Sequence, residues 1–308
     1  MPIVAGQPTT RDEVRRPLPA WLEKPVPELI RRTFVSYAQH ADGIYAGAMA
    51  FFGTLSLFPL LLLLITLFSV LVRSSDAVTL VVGRVSSFIP GSDALIRAVI
   101  TEVTEARPAA LSISLAALLW SSMGVFLTLG YALNRAWNAR SDRNIIGQYF
   151  IAAGLALSVG LVVVVSLIAS ALANVLFFVA GPVLKASLPA VGSVAVLASN
   201  LLDFGVVCGA SAVLYRGLPN VDVRWWDVFL PALLVGIAGG GAKFGFTWYL
   251  DTIARVGRIY GPIAAVAGLM LWLFVASVLL LWGAELSHQI AIWRAARGKR
   301  PPLASARG

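Results

Sequence analysis

The chain has 308 residues, 58% of them hydrophobic and only 13% charged, whereas a soluble domain carries about 25% charged residues. That much apolar surface cannot be hidden in one soluble core of this size, which excludes a soluble globular protein and makes lipid part of the solvent. The net charge of +9 would suggest nucleic acid in a soluble protein, but here most Lys and Arg residues sit near the ends of apolar runs, where they set orientation and meet anionic headgroups.

The apolar stretches run on for about twenty residues or more without the alternation of barrel strands, so the class is a polytopic α-helical membrane protein. The single cysteine, Cys208, excludes an intrachain disulfide and a Cys-based metal cluster, and reads as a small buried side chain. Residues 1–44 form a polar, Pro-rich tail with mixed charge and no apolar leader-like run, so the first span is expected to act as its own insertion signal. Within them Glu28 to His40 suits a short interfacial helix, with Leu29, Ile30, Phe34 and Tyr37 inward and Arg31 and Arg32 at headgroups.

The first span covers about 45–72. Ala46, Gly47, Ala48, Ala50 and Gly53 suit close helix packing, and Pro59 removes a backbone hydrogen bond and marks a hinge candidate. Residues 73–110 hold two apolar repeats at helical spacing, Val78 to Phe88 and Leu95 to Val103, separated by Pro90-Gly91-Ser92. They predict two amphipathic helices outside the membrane, between the first and second spans.

The second span covers about 111–137 and ends in Asn134-Arg135-Ala136-Trp137. The third covers about 149–180, with Ser158, Ser166, Ser170 and Asn174 on one polar stripe. The fourth covers about 191–215 and carries Asn200 and Asp203, before the turn Arg216-Gly217-Leu218-Pro219-Asn220 and the interfacial pair Trp225-Trp226. The fifth, about 228–250, holds Gly236, a Gly239–Gly241 run with Gly240 as a second hinge candidate, and a lone Lys243.

The sixth span covers about 261–288. From Pro262 to Ala284 it has no charged side chain, and at about 1.5 Å per residue this is roughly 34 Å, enough for a hydrocarbon core of about 30 Å. Residues 291–308 form a basic tail. Six spans over 45–290 leave both termini on one side, and the loops on that side are richer in Lys and Arg, which places both termini in the cytoplasm.

Four stretches then resemble one known family. They are Ala48-Met49-Ala50-Phe51-Phe52 through Ser56-Leu57-Phe58-Pro59-Leu60, Ala132-Leu133-Asn134-Arg135-Ala136-Trp137, Leu214-Tyr215-Arg216 with Leu218-Pro219-Asn220, and Tyr260-Gly261 through Leu271-Trp272 to Gly283-Ala284-Glu285. In this order and spacing the chain resembles the YihY/BrkB inner-membrane family, once labelled ribonuclease BN. The resemblance implies a six-helix bacterial inner-membrane protein tied to envelope integrity, serum resistance in a pathogen, and export of lipid or lipopolysaccharide-type molecules. It implies no catalytic residues.

The residues give no support to ribonuclease chemistry. The two histidines, His40 and His288, lie in opposite terminal regions, and there is no carboxylate pair at metal spacing, no glycine-rich phosphate loop and no nucleophile elbow. No enzyme activity, cofactor, metal or nucleic-acid partner is therefore expected.

The costly charges are Asp203 and Lys243, because a charge at mid-membrane costs at least about 2.5–3.5 kcal/mol unless paired or hydrated. They are expected either to pair structurally or to line a polar cavity with Asn174 and Asn200. Glu285, at the cytoplasmic end of the sixth span, is expected to meet Arg135 or Arg216 and with Asn134 to form a clamp or gate. The reading is a protein that transports or flips a lipid or other amphipathic envelope molecule. Its alternatives are a non-transporting scaffold for envelope assembly and, last, a membrane-surface enzyme. Expected partners are membrane lipids, with a second copy of the chain or an envelope protein in addition.

Overall fold

In the computed structural model the described residues are 25–72, 108–139, 191–260 and 262–298, with scattered positions between 147 and 158. All regular structure among them is α-helix: α1 (Pro25–Gln39), α2 (Asp42–Val72), α3 (Pro108–Ala136), α4 (Val191–Gly217), α5 (Trp225–Tyr260) and α6 (Pro262–Ala296). The described part of the chain is all-helical. Ala116–Ala136, Trp225–Leu250 and Val266–Ala296 are long and apolar enough to cross a bilayer. The expected amphipathic pair between Val78 and Val103, the two terminal tails, and Ser166, Ser170 and Asn174 of the third span lie outside the described residues.

α1 begins at Pro25, whose fixed φ and missing N–H suit the first helical turn. Glu28 accepts hydrogen bonds at 2.8 Å from Arg31 and Arg32. The inward face of α1 differs from the one expected. Thr33 and Ser36 are buried, Leu29 and Tyr37 are half-buried, and Ile30 and Phe34 are exposed. Residues 29, 33, 36, 37 and 40 share one helical face, and small Thr33 and Ser36 let α1 lie close to α6 where bulkier side chains would hold it off. The Thr33 hydroxyl is satisfied by the Leu29 carbonyl at 2.8 Å.

A two-residue turn, His40-Ala41, joins α1 to α2. The His40 N–H donates to Ser36 O at 2.9 Å and the Ile44 N–H donates to Ala41 O at 2.9 Å. Ala41 sits at φ 56°, a left-handed conformation unusual for a residue with a Cβ. α2 then packs on α3 and α6, burying Ala46, Met49, Ala50 and Leu57. The Phe52 ring lies directly on the α3 backbone at Gly124, where a Cβ would come within 2.5–2.8 Å of ring carbons.

The apolar core gathers at one end of the bundle, hereafter the base. It joins the start of α2 (Ala46), the end of α3 (Leu129, Leu133, Trp137), the end of α4 (Tyr215, Leu218), the start of α5 (Val228, Ala232) and the last turns of α6 (Leu281, Ala284, Ala291). α3 closes there through Asn138 at φ 49°, a position that Asn tolerates better than most residues.

Candidate functional site

At the base, the α1–α2 turn meets α6. Glu285 of α6 is fully buried, at 0% exposure, and its Oε1 lies 2.5 Å from His40 Nδ1. The imidazole keeps 17% exposure. Asp42, two residues beyond His40, is 1% exposed. Among the described residues, no hydrogen-bond donor reaches either Asp42 carboxylate oxygen or Glu285 Oε2.

The two carboxyls face each other within hydrogen-bonding reach, a bond that needs a proton on one of them. Burial first, then the Glu285 charge and the hydrogen bond to it, push Asp42 from 3.8 up to about 8, and the Arg135 charge acts in the opposite direction. Among the described residues the nearby Tyr37 hydroxyl has no hydrogen-bond partner, and burial together with the Asp42 charge raises its pKa. His288, one turn beyond Glu285, packs on the Trp137 ring with centroids 5.2 Å apart.

The sequence points to Glu285 and predicts an arginine partner, Arg135 or Arg216. The structure brings it to His40 instead. Arg135 is exposed and acts on Asp42 through its charge, and Arg216 is exposed with its guanidinium 4.4 Å above the Trp225 ring. Asn134 reaches across to the turn after α4, where its Oδ1 accepts the Asn220 N–H at 2.7 Å. Three participants were missed. Asp42 and Asp227 lie just before the spans expected from about 45 and 228, and His40 ends the expected interfacial helix. Asp227 is buried and faces Arg294 at 3.7 Å. No local pattern in the sequence shows that these residues are buried or paired.

Tyr215 and Gly283 lock α4 to α6. The Tyr215 hydroxyl donates to Leu280 O at 2.6 Å. A methyl group at Gly283 would collide with that hydroxyl and with Val235, so the close approach depends on glycine.

Above the base a half-open cavity of about 1000 Å³ lies among α2 to α6, at the upper end of the roughly 300–1,000 Å³ usual for ligand sites. Lys243 is the one charged side chain among its described lining residues, and Ser211, Ser277 and Thr247 add hydroxyls. The remaining walls are largely apolar, including Phe204, Trp272 and Leu273. Gly239 and Gly240 also line it, and Gly239 to Gly241 have nothing within 4 Å of where a Cβ would sit. The close glycine contact of α5 is instead at Gly236, under Phe204 and Cys208. Asn200 and Asp203 lie on α4, with side chains outside the described set. Pro59 lies inside α2. The Ser158 hydroxyl donates to the Gly154 carbonyl of its own helix.

Among the described residues, no group of three or more His, Cys, Asp or Glu is arranged to hold a metal ion. A family model described as virulence factor BrkB matches residues 34–307. A UPF0761 membrane protein of Methylibium petroleiphilum is 28% identical over 249 residues, 80% of this chain and 58% of that protein. Another, from Pseudoalteromonas atlantica, is 27% identical over 286 residues, 90% of each chain. A third, from Ralstonia nicotianae, is 29% identical over 259 residues, 81% of this chain and 55% of that one. The chain thus spans little more than half the length of several relatives it matches. No solved structure matches it.

Proposed function

The chain belongs to the virulence factor BrkB family of multi-pass membrane proteins, and on that premise we propose that it moves or flips an anionic lipid of the bacterial envelope through the cavity beside Lys243. The observation that carries this reading is the cavity's composition. Apolar walls suit a hydrocarbon body, and one cation among them suits a single anionic headgroup. An enzyme would need converging reactive groups, and this reading assigns none.

The proposal includes six spans in an inner membrane with both termini cytoplasmic. α3 and α4 both close at the base, so the chain has to cross the height of the bundle between them, which supports a further span over 149–180. The Lys and Arg distribution supports a cytoplasmic base. A lipid carrier needs no cofactor or nucleic acid, and anionic headgroups at the cytoplasmic face are its natural partners. The compact base core favours a second reading, a scaffold for envelope assembly, which would leave the cavity without traffic.

The test is reconstitution into liposomes carrying labelled anionic and zwitterionic lipids. Wild type is expected to move the anionic lipid faster. Lys243→Ala is expected to lose about tenfold in that preference, because a charge-assisted contact is worth about 1.5–3 kcal/mol, and Lys243→Arg should retain most of it. Gly240→Trp, which places a ring in the open cavity, should stop movement while the protein stays folded. No lipid movement by wild type in any composition would overturn the proposal.

A further inference from the structure

We propose that Asp42 and Glu285 form a proton-binding site, one proton shared between two buried carboxyls and exchanged with water through His40. The site joins two helices that are distant in sequence. Asp42 opens α2 and Glu285 lies near the end of α6, and both are at least 99% buried. Neither Asp42 oxygen nor Glu285 Oε2 meets a donor among the described residues. Such orphaned acceptors, shut away from water, leave two facing carboxylates with nothing to hold them together, and a single proton between them supplies the missing donor. Among the described residues no group of three His, Cys, Asp or Glu is arranged to hold a metal ion, and a proton is the cation this pair of carboxyls fits.

Other titratable and charged groups frame the pair. Tyr37 and His40 approach from α1 and its turn, Arg135 from the end of α3, and His288 follows one turn on along α6. His40 keeps 17% exposure, and its Nδ1 is already seated on Glu285 Oε1. Uptake then balances simply. Water delivers a proton to Nε2, the Nδ1 proton passes to Glu285 Oε1, the imidazole is left neutral as the other tautomer, and rotation of the Glu285 carboxyl turns the new O–H toward Asp42. Release runs in reverse. With the proton bound, the pair carries one negative charge. Without it, two adjacent buried anions repel, and the α1–α2 corner is pushed from α6.

The experiment is infrared titration of the full chain in lipid nanodiscs, following the C=O stretch of protonated carboxyl groups. The expected result is a band present at neutral pH that fades as pH passes about 8. Asp42→Asn should abolish it, and Glu285→Gln should keep it but move its loss to a different pH, because burial still holds the Asp42 proton while the Glu285 charge and hydrogen bond are gone. His40→Gln should keep the band but slow its response to a pH jump by about a hundredfold. Absence of the band at neutral pH would overturn the proposal, as would its persistence when both acids are replaced or its replacement by sodium at constant pH. Should the acid variants fail to fold, the wild-type band and the His40→Gln rate still decide. The measurement needs no lipid movement, so its failure is separate from failure of the transport reading.

Discussion

At the residue scale, two glycines make opposite predictions. Gly283 sits under Tyr215 and Val235 with no room for a methyl group, while Gly240 faces open space. Gly283→Ala should cost about 1–3 kcal/mol, as overpacking does, and lower the melting temperature in detergent. Gly240→Ala should leave stability unchanged or raise it by about 0.5–1 kcal/mol, since glycine is the poorer helix former. Both glycines were plain in the sequence. Which one touches a neighbour was not, because one position along a helix turns the Cβ by about 100°.

At the element scale, Asn134 joins α3 to the turn before α5 through the Asn220 N–H. Asn134→Leu should leave that donor buried without an acceptor and cost about 1–3 kcal/mol, read as a lower melting temperature. Asn134→Asp, which keeps an acceptor, should cost less. By contrast Arg31→Ala should leave the melting temperature almost unchanged, because the Arg31–Glu28 pair lies at the surface. α1 shows how a helix can be legible while its face is not. Its period was readable from Glu28 to His40, but ranking by hydrophobicity put Phe34 inward, and close packing chose Thr33 and Ser36.

At the scale of the whole molecule, the base is a compact core under a half-open cavity, and its stability should depend on pH. The Asp42 pKa rises from 3.8 to about 8 on folding. Between those values the folded chain holds a proton that the unfolded chain has lost, so the Asp42 contribution is full below about pH 4 and gone once pH exceeds about 8. Wild type should therefore melt at progressively lower temperature as pH rises across this window, and Asp42→Asn should flatten the trend. A melting temperature that rose with pH would contradict the buried acid pair.

The sequence by itself determined the solvent and the class. Apolar runs of about twenty residues, edged by Lys and Arg, leave a helical bundle in lipid as the stable form, because only internally bonded backbone survives there. It also marked Glu285, Lys243 and Asn134 as polar groups that would need company, since polar groups are costly in an apolar medium wherever they fall. Only the tertiary structure decided who the company was. His40 and Glu285 are separated by 245 positions along the chain, and no local pattern encodes such a pairing. It follows from the α1–α2 turn folding back onto the last turns of α6, where the closeness of two backbones, rather than the character of either segment, places one buried acid against another.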